Sequence, residues 1–250
     1  MSKFFVKDDQ ITGKYISIID DDVNHIKNVL RLKIEDEIKI CSIDTSKNYL
    51  CKIKTIDKKN IECEIIEEFE SVSESDIEID IYQGLPKADK MELIIQKGTE
   101  LGVHSFCPVI FKRSIVKLDD KDKLKKQIRW QKISEVAAKQ SGRDIVPKIL
   151  EVKKIKDICT DFDKYDIVIV AYENEENNTL KAELKKIDKE KLKIAVVIGP
   201  EGGIDETEIQ EMRVAGAKIV SLGKRILRTE TVALVMAAII NYELENTEDK

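Results

Sequence analysis

The sequence of 250 residues contains only two histidines, His25 and His104, and none of its five cysteines forms a Cys-x-x-Cys pair. A histidine-rich metal site is therefore not expected, and a catalytic triad would have few candidates. An odd number of scattered cysteines also argues against a disulfide framework and against a zinc site. We predict no metal in this protein.

Long apolar runs are also missing. The longest, Val232 to Ile240, is far short of the roughly 20 residues that span a bilayer. The first residues have neither the apolar region nor the cleavage site of a secretory signal. We therefore expect a cytoplasmic protein that does not enter a membrane.

The net charge of −5 argues mildly against a nucleic-acid partner, but the charge is unevenly distributed. Residues 112–156 carry fifteen Lys and Arg against six Asp and Glu. Phosphate contacts are local, because salt screens charges beyond about 10 Å. The basic stretch is thus either a nucleic-acid surface or a lysine-rich face in water.

Residues 1–70 have the pattern of a small β domain. Apolar and polar residues alternate over 38–43, 49–56 and 61–65, which is typical of half-buried strands. One short helix is predicted between Asp22 and Leu32. A small antiparallel barrel fits this pattern, with a polar linker over residues 67–76.

Residues 71–250 alternate strands with helices, which predicts an α/β domain with a mainly parallel sheet. The longest predicted helix runs from Asp122 to Ser141. The last, Val232 to Leu244, is apolar almost all round, so it should be buried in the core or against a second subunit.

A glycine-rich turn follows the most apolar of these strands. Ile194 to Ile198 read as a strand buried on both faces, and Gly199-Pro-Glu-Gly-Gly203 follows directly. Asp205 and Glu208 have the spacing of a capping box for the next helix. Strand, glycine turn and helix form the geometry of a ligand site at the carboxyl end of a sheet. Both the dinucleotide fingerprint and the P-loop motif are missing, and Glu201 would repel a phosphate.

A second turn of the same kind follows about twenty residues later. A short strand ends near Gly223, and a loop with two arginines leads to a helix that Thr229 could cap. Two such loops, each at the end of an apolar strand, could converge on one ligand.

Several blocks resemble, in the same order, the bacterial 16S ribosomal RNA uracil-N3 methyltransferases, the RsmE family of the SPOUT superfamily. The resemblance covers nearly the whole chain. The blocks are His25-Ile-Lys-Asn-Val-Leu-Arg-Leu-Lys33, Gly84-Leu-Pro-Lys-Ala-Asp-Lys-Met-Glu92, Gln96-Lys-Gly-Thr-Glu-Leu-Gly-Val103, Arg129 to Arg143, Ile198-Gly-Pro-Glu-Gly-Gly-Ile204 and Leu222-Gly-Lys-Arg-Ile-Leu-Arg-Thr-Glu-Thr-Val-Ala233.

The resemblance implies a PUA-like barrel for RNA and a SPOUT domain with a deep trefoil knot at about 194–245. It also implies a homodimer that binds S-adenosylmethionine and acts on 16S rRNA of the small ribosomal subunit. S-adenosylmethionine has no phosphate and a positive sulfur, so a carboxylate in the glycine turn is acceptable. By the matching motifs, the cofactor-binding residues would be Ile198, Gly199, Gly203, Leu222, Gly223 and Leu227.

Methyl transfer to uracil N3 requires loss of the N3 proton, and negative charge then builds on the flanking carbonyl oxygens. Arg228 is our candidate to stabilise that charge, with a phosphate clamp as the alternative role. Glu230 or Glu201 is the candidate proton acceptor, although an ordinary carboxylate is a weak base for this proton. For Glu230 we favour a charge in the first turn of a helix.

Basic side chains outside the cofactor loops are the candidates for RNA docking. Trp130, the only tryptophan, could stack on a base, but we interpret it as a helix-packing residue. The chosen RNA-binding residues are Arg31, Lys33, Arg113, Arg129 and Arg143.

Two other functions stay open at this point. One is a ribose 2′-O-methyltransferase of the same superfamily, which the block Leu227-Arg-Thr-Glu-Thr231 disfavours. The other is a ribosome-assembly factor that binds RNA without catalysis, against which the intact glycine turn argues.

Overall fold

The computed structural model describes residues 3–70, 73–188 and 192–245. The chain divides into two units. The first comprises Met1–Glu74 and Ala138–Val146, and the second comprises Ser75–Ala137 and Pro147–Lys250. The sequence analysis placed a domain boundary at 70/71, and it did not indicate that segment 138–146 belongs to the first unit. The predicted linker over 67–76 includes residues 71 and 72, which lie outside the described residues.

The first unit contains one six-stranded sheet in the order β1-β4-β5-β6-β3-β2. Neighbouring strands are antiparallel, as predicted, except that β1 and β4 are parallel. The alternating isoleucines of the strands form the core. Burial of each isoleucine side chain stabilises the folded state by about 1.5–3 kcal/mol. The strands are β1 (Lys3–Val6), β2 (Ile11–Thr12), β3 (Tyr15–Ile19), β4 (Glu37–Ser42), β5 (Asn48–Ile56) and β6 (Asn60–Phe69).

Two sequence predictions for this unit need correction. The helix expected over 22–32 is shorter, with α1 (Asp21–Asn24) followed by one π-helical turn at His25–Val29. It stops there because Arg31 has a φ of +56°, outside the helical region. The predicted linker starts too early, since β6 pairs with β5 as far as Phe69.

A buried ionic cluster fixes segment 138–146 in the first unit. The Arg143 guanidinium donates to both Glu74 carboxylate oxygens, with Nη2 2.6 Å from Oε2. The backbone N–H of Asp144 also donates to Glu74, at 2.8 Å. Asp144 in turn accepts from Lys3. The predicted role of Arg143 in RNA binding is contradicted, because Arg143 is only 5% exposed and its guanidinium is held by a carboxylate.

The second unit contains a wholly parallel sheet, as the alternation of strands and helices predicted. Its order is β10-β8-β7-β12-β11-β13, and β9 also pairs with β8. Its strands are β7 (Ile77–Gly84), β8 (Ser105–Ile110), β9 (Lys148–Ile149), β10 (Lys153–Lys154), β11 (Ile167–Ala171), β12 (Leu192–Ile198) and β13 (Lys218–Val220). Its helices are α2 (Lys90–Glu100), α3 (Asp120–Ser141, which ends in the first unit), α4 (Ile155–Cys159), α5 (Leu180–Leu184), α6 (Glu206–Val214) and α7 (Thr229–Leu244).

Both faces of this sheet are covered, which explains the unbroken apolar run of β12. Ile194, Val196 and Ile198 face one apolar core, which also holds residues of α2 and α7. Ala195 and Val197 face a second core, to which α4 and α6 contribute. Trp130 is 3% exposed and lies in the first of these cores, so its predicted packing role is confirmed.

The last helix, α7, begins three residues earlier than predicted. Arg228, not Thr229, is its N-cap, and the Val232 N–H closes the first turn on the Arg228 carbonyl oxygen at 2.9 Å. One face of α7 is buried, but Ile239 and Tyr242 are 37% and 86% exposed. Along the described chain, no helix is long and apolar enough to cross a bilayer.

We expect Arg143→Met to lower the free energy of unfolding by about 3 kcal/mol, because it leaves the Glu74 carboxylate, which is only 16% exposed, without its cation. Arg129→Met is the matched control, since Arg129 is 65% exposed in its ion pair with Glu92. Exposed pairs contribute at most about 1 kcal/mol. Urea denaturation followed by circular dichroism measures both variants, and equal losses would contradict the assignment.

Candidate functional site

Four loops meet at the carboxyl edge of the parallel sheet. They follow β7, β11, β12 and β13, which end at Gly84, Ala171, Ile198 and Val220. Because these strands are parallel neighbours, their following loops emerge on the same edge. The two glycine loops recognised in the sequence, after β12 and β13, are therefore brought together as expected.

The loop after β12 is held against the end of β7 by a contact that only glycine permits. A Cβ on Gly84 would lie 2.5 Å from the Pro200 nitrogen and 2.8 Å from the Gly199 carbonyl carbon. Such distances are far below van der Waals contact, so any side chain at residue 84 would force the two segments apart. Asp205 caps α6 and Glu208 completes the capping box, as predicted, so the other end of the loop is fixed too.

A buried chain of hydrogen bonds ties the start of α7 to the same place. The Thr229 hydroxyl donates to the Gly199 carbonyl oxygen at 2.7 Å. It accepts from Gln83 Nε2 at 2.8 Å, and this Nε2 also donates to the Gly84 carbonyl oxygen. Gln83 is fully buried and Thr229 is 6% exposed, so these bonds form away from water, where losing one is costly.

The loops enclose a concave surface with two adjoining lobes of about 690 and 360 Å³. The lobes share wall residues, among them Glu173, Leu227 and Val232. Such volumes are in the usual range of small-molecule sites. All six residues predicted to bind the cofactor line this surface: Ile198, Gly199 and Gly203 in the smaller lobe, Leu222 and Gly223 in the larger, and Leu227 in both.

Lys90 joins the two carboxylates proposed as proton acceptors, and the sequence did not single it out. Its Nζ lies 3.0 Å from Glu201 Oε1 and 3.2 Å from Glu230 Oε2. These hydrogen bonds raise the pKa of Lys90, which therefore stays charged. Burial alone would raise the pKa of Glu201, but hydrogen bonds from its own backbone N–H, from Lys90 and from the Lys87 N–H outweigh it and lower the pKa.

Two arginines lie close to this surface. Arg228 lines the smaller lobe together with Glu201 and Lys90. Arg113 packs on the glycine turn, with its carbonyl oxygen 2.9 Å from where a Cβ of Gly202 would lie. Its Nη2 is 3.4 Å from Asp205 Oδ2, and half of the side chain is exposed.

The other predicted RNA-binding residues lie outside the cavity. Arg31 and Lys33 are exposed on the first unit, in the loop that follows the π-helical turn. Arg129 is exposed on α3 of the second unit, and Glu92 lies 2.8 Å from its guanidinium. With Arg113, four of the five predicted basic side chains are therefore accessible.

Two known family models match this chain, one mainly in the first unit and one mainly in the second. The model of an RNA methyltransferase domain matches residues 73–241, which is more than half of the chain. The model of an RNA methyltransferase PUA domain matches residues 18–66.

Individual relatives match over nearly their whole length. Ribosomal RNA small subunit methyltransferase E of Bacillus subtilis is 39% identical over 233 residues, which cover 92% of this chain and 90% of the relative. The protein of the same name from Aquifex aeolicus is 33% identical, over 91% of this chain and 94% of its own. The crystal structure of the Neisseria gonorrhoeae protein of that name, bound to S-adenosyl methionine, is 31% identical, covers 99% of each chain and has a TM-score of 0.86.

We expect Thr229→Val to destabilise the protein by about 1–3 kcal/mol, because it removes the hydroxyl that accepts from the buried Gln83 amide and donates to the Gly199 carbonyl oxygen. Thr231→Val is the control, since Thr231 is exposed two residues further along α7. Urea unfolding of the two variants and the wild type gives the comparison. If Thr229→Val were as stable as the control, the chain of hydrogen bonds would not hold these loops together.

Proposed function

The chain belongs to the ribosomal RNA small subunit methyltransferase E family, and we propose that it transfers a methyl group from S-adenosylmethionine to N3 of a uridine in 16S rRNA. The observation that carries the proposal is the two-lobed cavity. The loops after β12 and β13, whose sequences resemble those of the family, converge there. Family membership gives the reaction class and cofactor, while the choice of N3 rests on the resemblance of the sequence blocks.

The lining of the cavity suits S-adenosylmethionine. Ile198, Leu227 and Val232 offer apolar walls, as an adenine ring requires. The glycine turn brings backbone close to the ligand. No cluster of cations is needed, since the cofactor has no phosphate, and a carboxylate at Glu201 is compatible with its positive charge.

S-adenosylmethionine supplies an electrophilic methyl group on a sulfonium, and the protein must align uracil N3 with it. Alignment alone contributes about 7–11 kcal/mol to such reactions. When N3 loses its proton, negative charge spreads to the neighbouring carbonyl oxygens. Arg228 and Lys90 at the smaller lobe are cations suited to stabilise that charge.

We revise the roles of the two glutamates accordingly. Glu201 and Glu230 both bind the Lys90 ammonium, and the lowered pKa of Glu201 makes that carboxylate a weaker base. We propose that both are positioning residues that hold Lys90 in place.

RNA would be bound through exposed cations on both units. We propose Arg31 and Lys33 on the first unit, and Arg113 and Arg129 on the second, as phosphate contacts. Arg143 is left out because it is buried against Glu74. Since the proposed substrate is RNA of the small ribosomal subunit, we propose the cytoplasm as the place of action.

We also propose that residues 194–245 form the deep trefoil knot of the SPOUT superfamily, an exception to the rule that chains do not thread through loops. Two observations support the proposal. The chain enters β13 at the edge of the sheet, yet α7 packs on the central strands β7 and β12. At its first residue, Thr229, α7 is bonded to the turn after β12.

A homodimer is the proposed assembly, and the open face of α7 supports it. Val235, Ile239 and Tyr242 follow at helical spacing on one side of α7. Tyr242 is 86% exposed, which is unusual for an aromatic residue in a mainly apolar helix. A second copy of the chain would cover this face.

The proposed reaction is tested by mass mapping of 16S rRNA from cells that lack the protein and from cells that regain it. We expect 3-methyluridine to return with the wild type. With Arg228→Ala we expect turnover to fall by about 100-fold or more, the usual effect of removing one charge-stabilising donor. Calorimetry should show unchanged S-adenosylmethionine binding.

Lys148→Ala is the control, because it removes an exposed cation on β9 that does not line the cavity. A methyl group on a ribose oxygen would favour the 2′-O-methyltransferase instead. Absence of cofactor binding in the wild type would favour an assembly factor without catalysis. Near-normal turnover of Arg228→Ala would remove that residue from the mechanism.

We expect Ile239→Asp to convert the dimer to a monomer, because a carboxylate in an apolar interface lacks a partner. Light scattering after size-exclusion chromatography measures the mass. Val214→Asp is the control, since Val214 is 90% exposed on α6, away from this face. A wild type that is monomeric, or an Ile239→Asp variant that stays dimeric, would contradict the proposed interface.

A further inference from the structure

Glu173 projects into the cavity from the loop after β11. It lines both lobes, and its side chain is exposed. Over residues 3–70, 73–188 and 192–245, the structure gives its carboxylate no hydrogen bond and no ion pair. A charged group in such a place is available to a ligand.

The other carboxylates at this edge of the sheet either have a hydrogen-bond or ion-pair partner or line only one lobe. Glu201 and Glu230 are bound by Lys90. Glu175 accepts from the N–H groups of Asn177 and Asn178. Glu176 lines only the larger lobe. Within the described chain, Glu173 is thus the one unpaired carboxylate at the junction of the two lobes.

The backbone of the glycine turn makes room for this carboxylate. Glu173 Oε1 lies 2.5 Å from where a Cβ of Gly203 would be. Gly203 has a φ of +71°, which glycine adopts without strain. The carboxylate therefore rests on the glycine turn itself, beside the predicted cofactor walls Ile198 and Leu227.

The two forms of the cofactor differ in charge at one atom. S-adenosylmethionine carries a positive sulfonium. When the methyl group moves to N3, the electrons of its bond to sulfur stay on sulfur, and the N3 proton passes to water. S-adenosylhomocysteine is therefore left with a neutral thioether. The ammonium, carboxylate and adenosine are common to both, and only a group that senses the sulfur charge distinguishes them.

We propose that Glu173 is the specificity-determining residue that selects the charged methyl donor over its neutral product. The inference rests on the proposed function of the cavity. A bound ligand would cover the exposed Glu173 carboxylate, and the attraction between a carboxylate and a sulfonium strengthens as water between them is displaced. That attraction ends when the methyl group has left. Glu173 thereby favours binding of the donor and release of the product.

Calorimetry with three ligands tests this inference. The ligands are S-adenosylmethionine, S-adenosylhomocysteine and sinefungin, an analogue that carries an ammonium-bearing carbon in place of the methylated sulfur. For Glu173→Gln we expect the Kd of the two charged ligands to rise about tenfold, equivalent to about 1.4 kcal/mol. The Kd of S-adenosylhomocysteine should change by less than about twofold.

Two further variants serve as controls. Glu173→Asp keeps the charge and should retain most of the preference for the donor. Glu151→Gln removes an exposed carboxylate after β9 and should bind all three ligands as the wild type does. The thermal midpoint of each variant checks the fold.

Each other outcome has a distinct meaning. If Glu173→Gln weakened the binding of all three ligands equally, the carboxylate would be a contact of their shared ammonium, and the inference would be overturned. Unchanged Kd values with reduced turnover would place it in the chemical step and overturn it too. If the wild type itself bound none of the ligands, the proposed function would fail together with the inference.

Discussion

The contact between the end of β7, the turn after β12 and the first residue of α7 determines the arrangement of the site. Gly84 has no side chain, so its backbone can touch Pro200. The Thr229 hydroxyl joins Gly199 to Gln83 across the same point. Lys90, Glu201 and Arg228 are all within a few residues of this junction along the chain. A shift of about 1 Å in such groups can reduce a rate by 100-fold, so packing at the junction directly affects chemistry.

The fixed charges around the cavity match the change in charge that the proposed reaction requires. Cations at Lys90 and Arg228 lie at the smaller lobe, where negative charge would develop on uracil. Glu173 lies at the junction of the lobes, where the sulfonium would lose its positive charge. Charges that are already in position need no reorganisation during the reaction, which is how such sites lower barriers.

The features foreseen from the sequence are those that depend on neighbours in the chain. Asp205 and Glu208 are three residues apart, so their capping box was visible in the sequence and is confirmed. The five consecutive apolar residues from Ile194 to Ile198 likewise predicted a strand covered on both faces, and this is confirmed. The role of Lys90 was not visible, because Glu201 and Glu230 come from other segments. Arg129 and Arg143 look alike in the sequence, and only Glu74 makes one of them a buried structural residue.

The first unit is not continuous in sequence, and this affects how it can form. Ala138 and Val146 pack on Phe5 and Cys41, and Asp144 is the partner of Lys3. N-terminal domains commonly fold while the rest of the chain is still being made. Here the main core of the sheet comes from the first 65 residues, but the smaller cluster around Phe5 and Cys41 lacks Ala138 and Val146 until residue 146 has left the ribosome. A nascent chain of this protein therefore carries the sheet without this segment from the end of β6, at Phe69, until Val146 has been made.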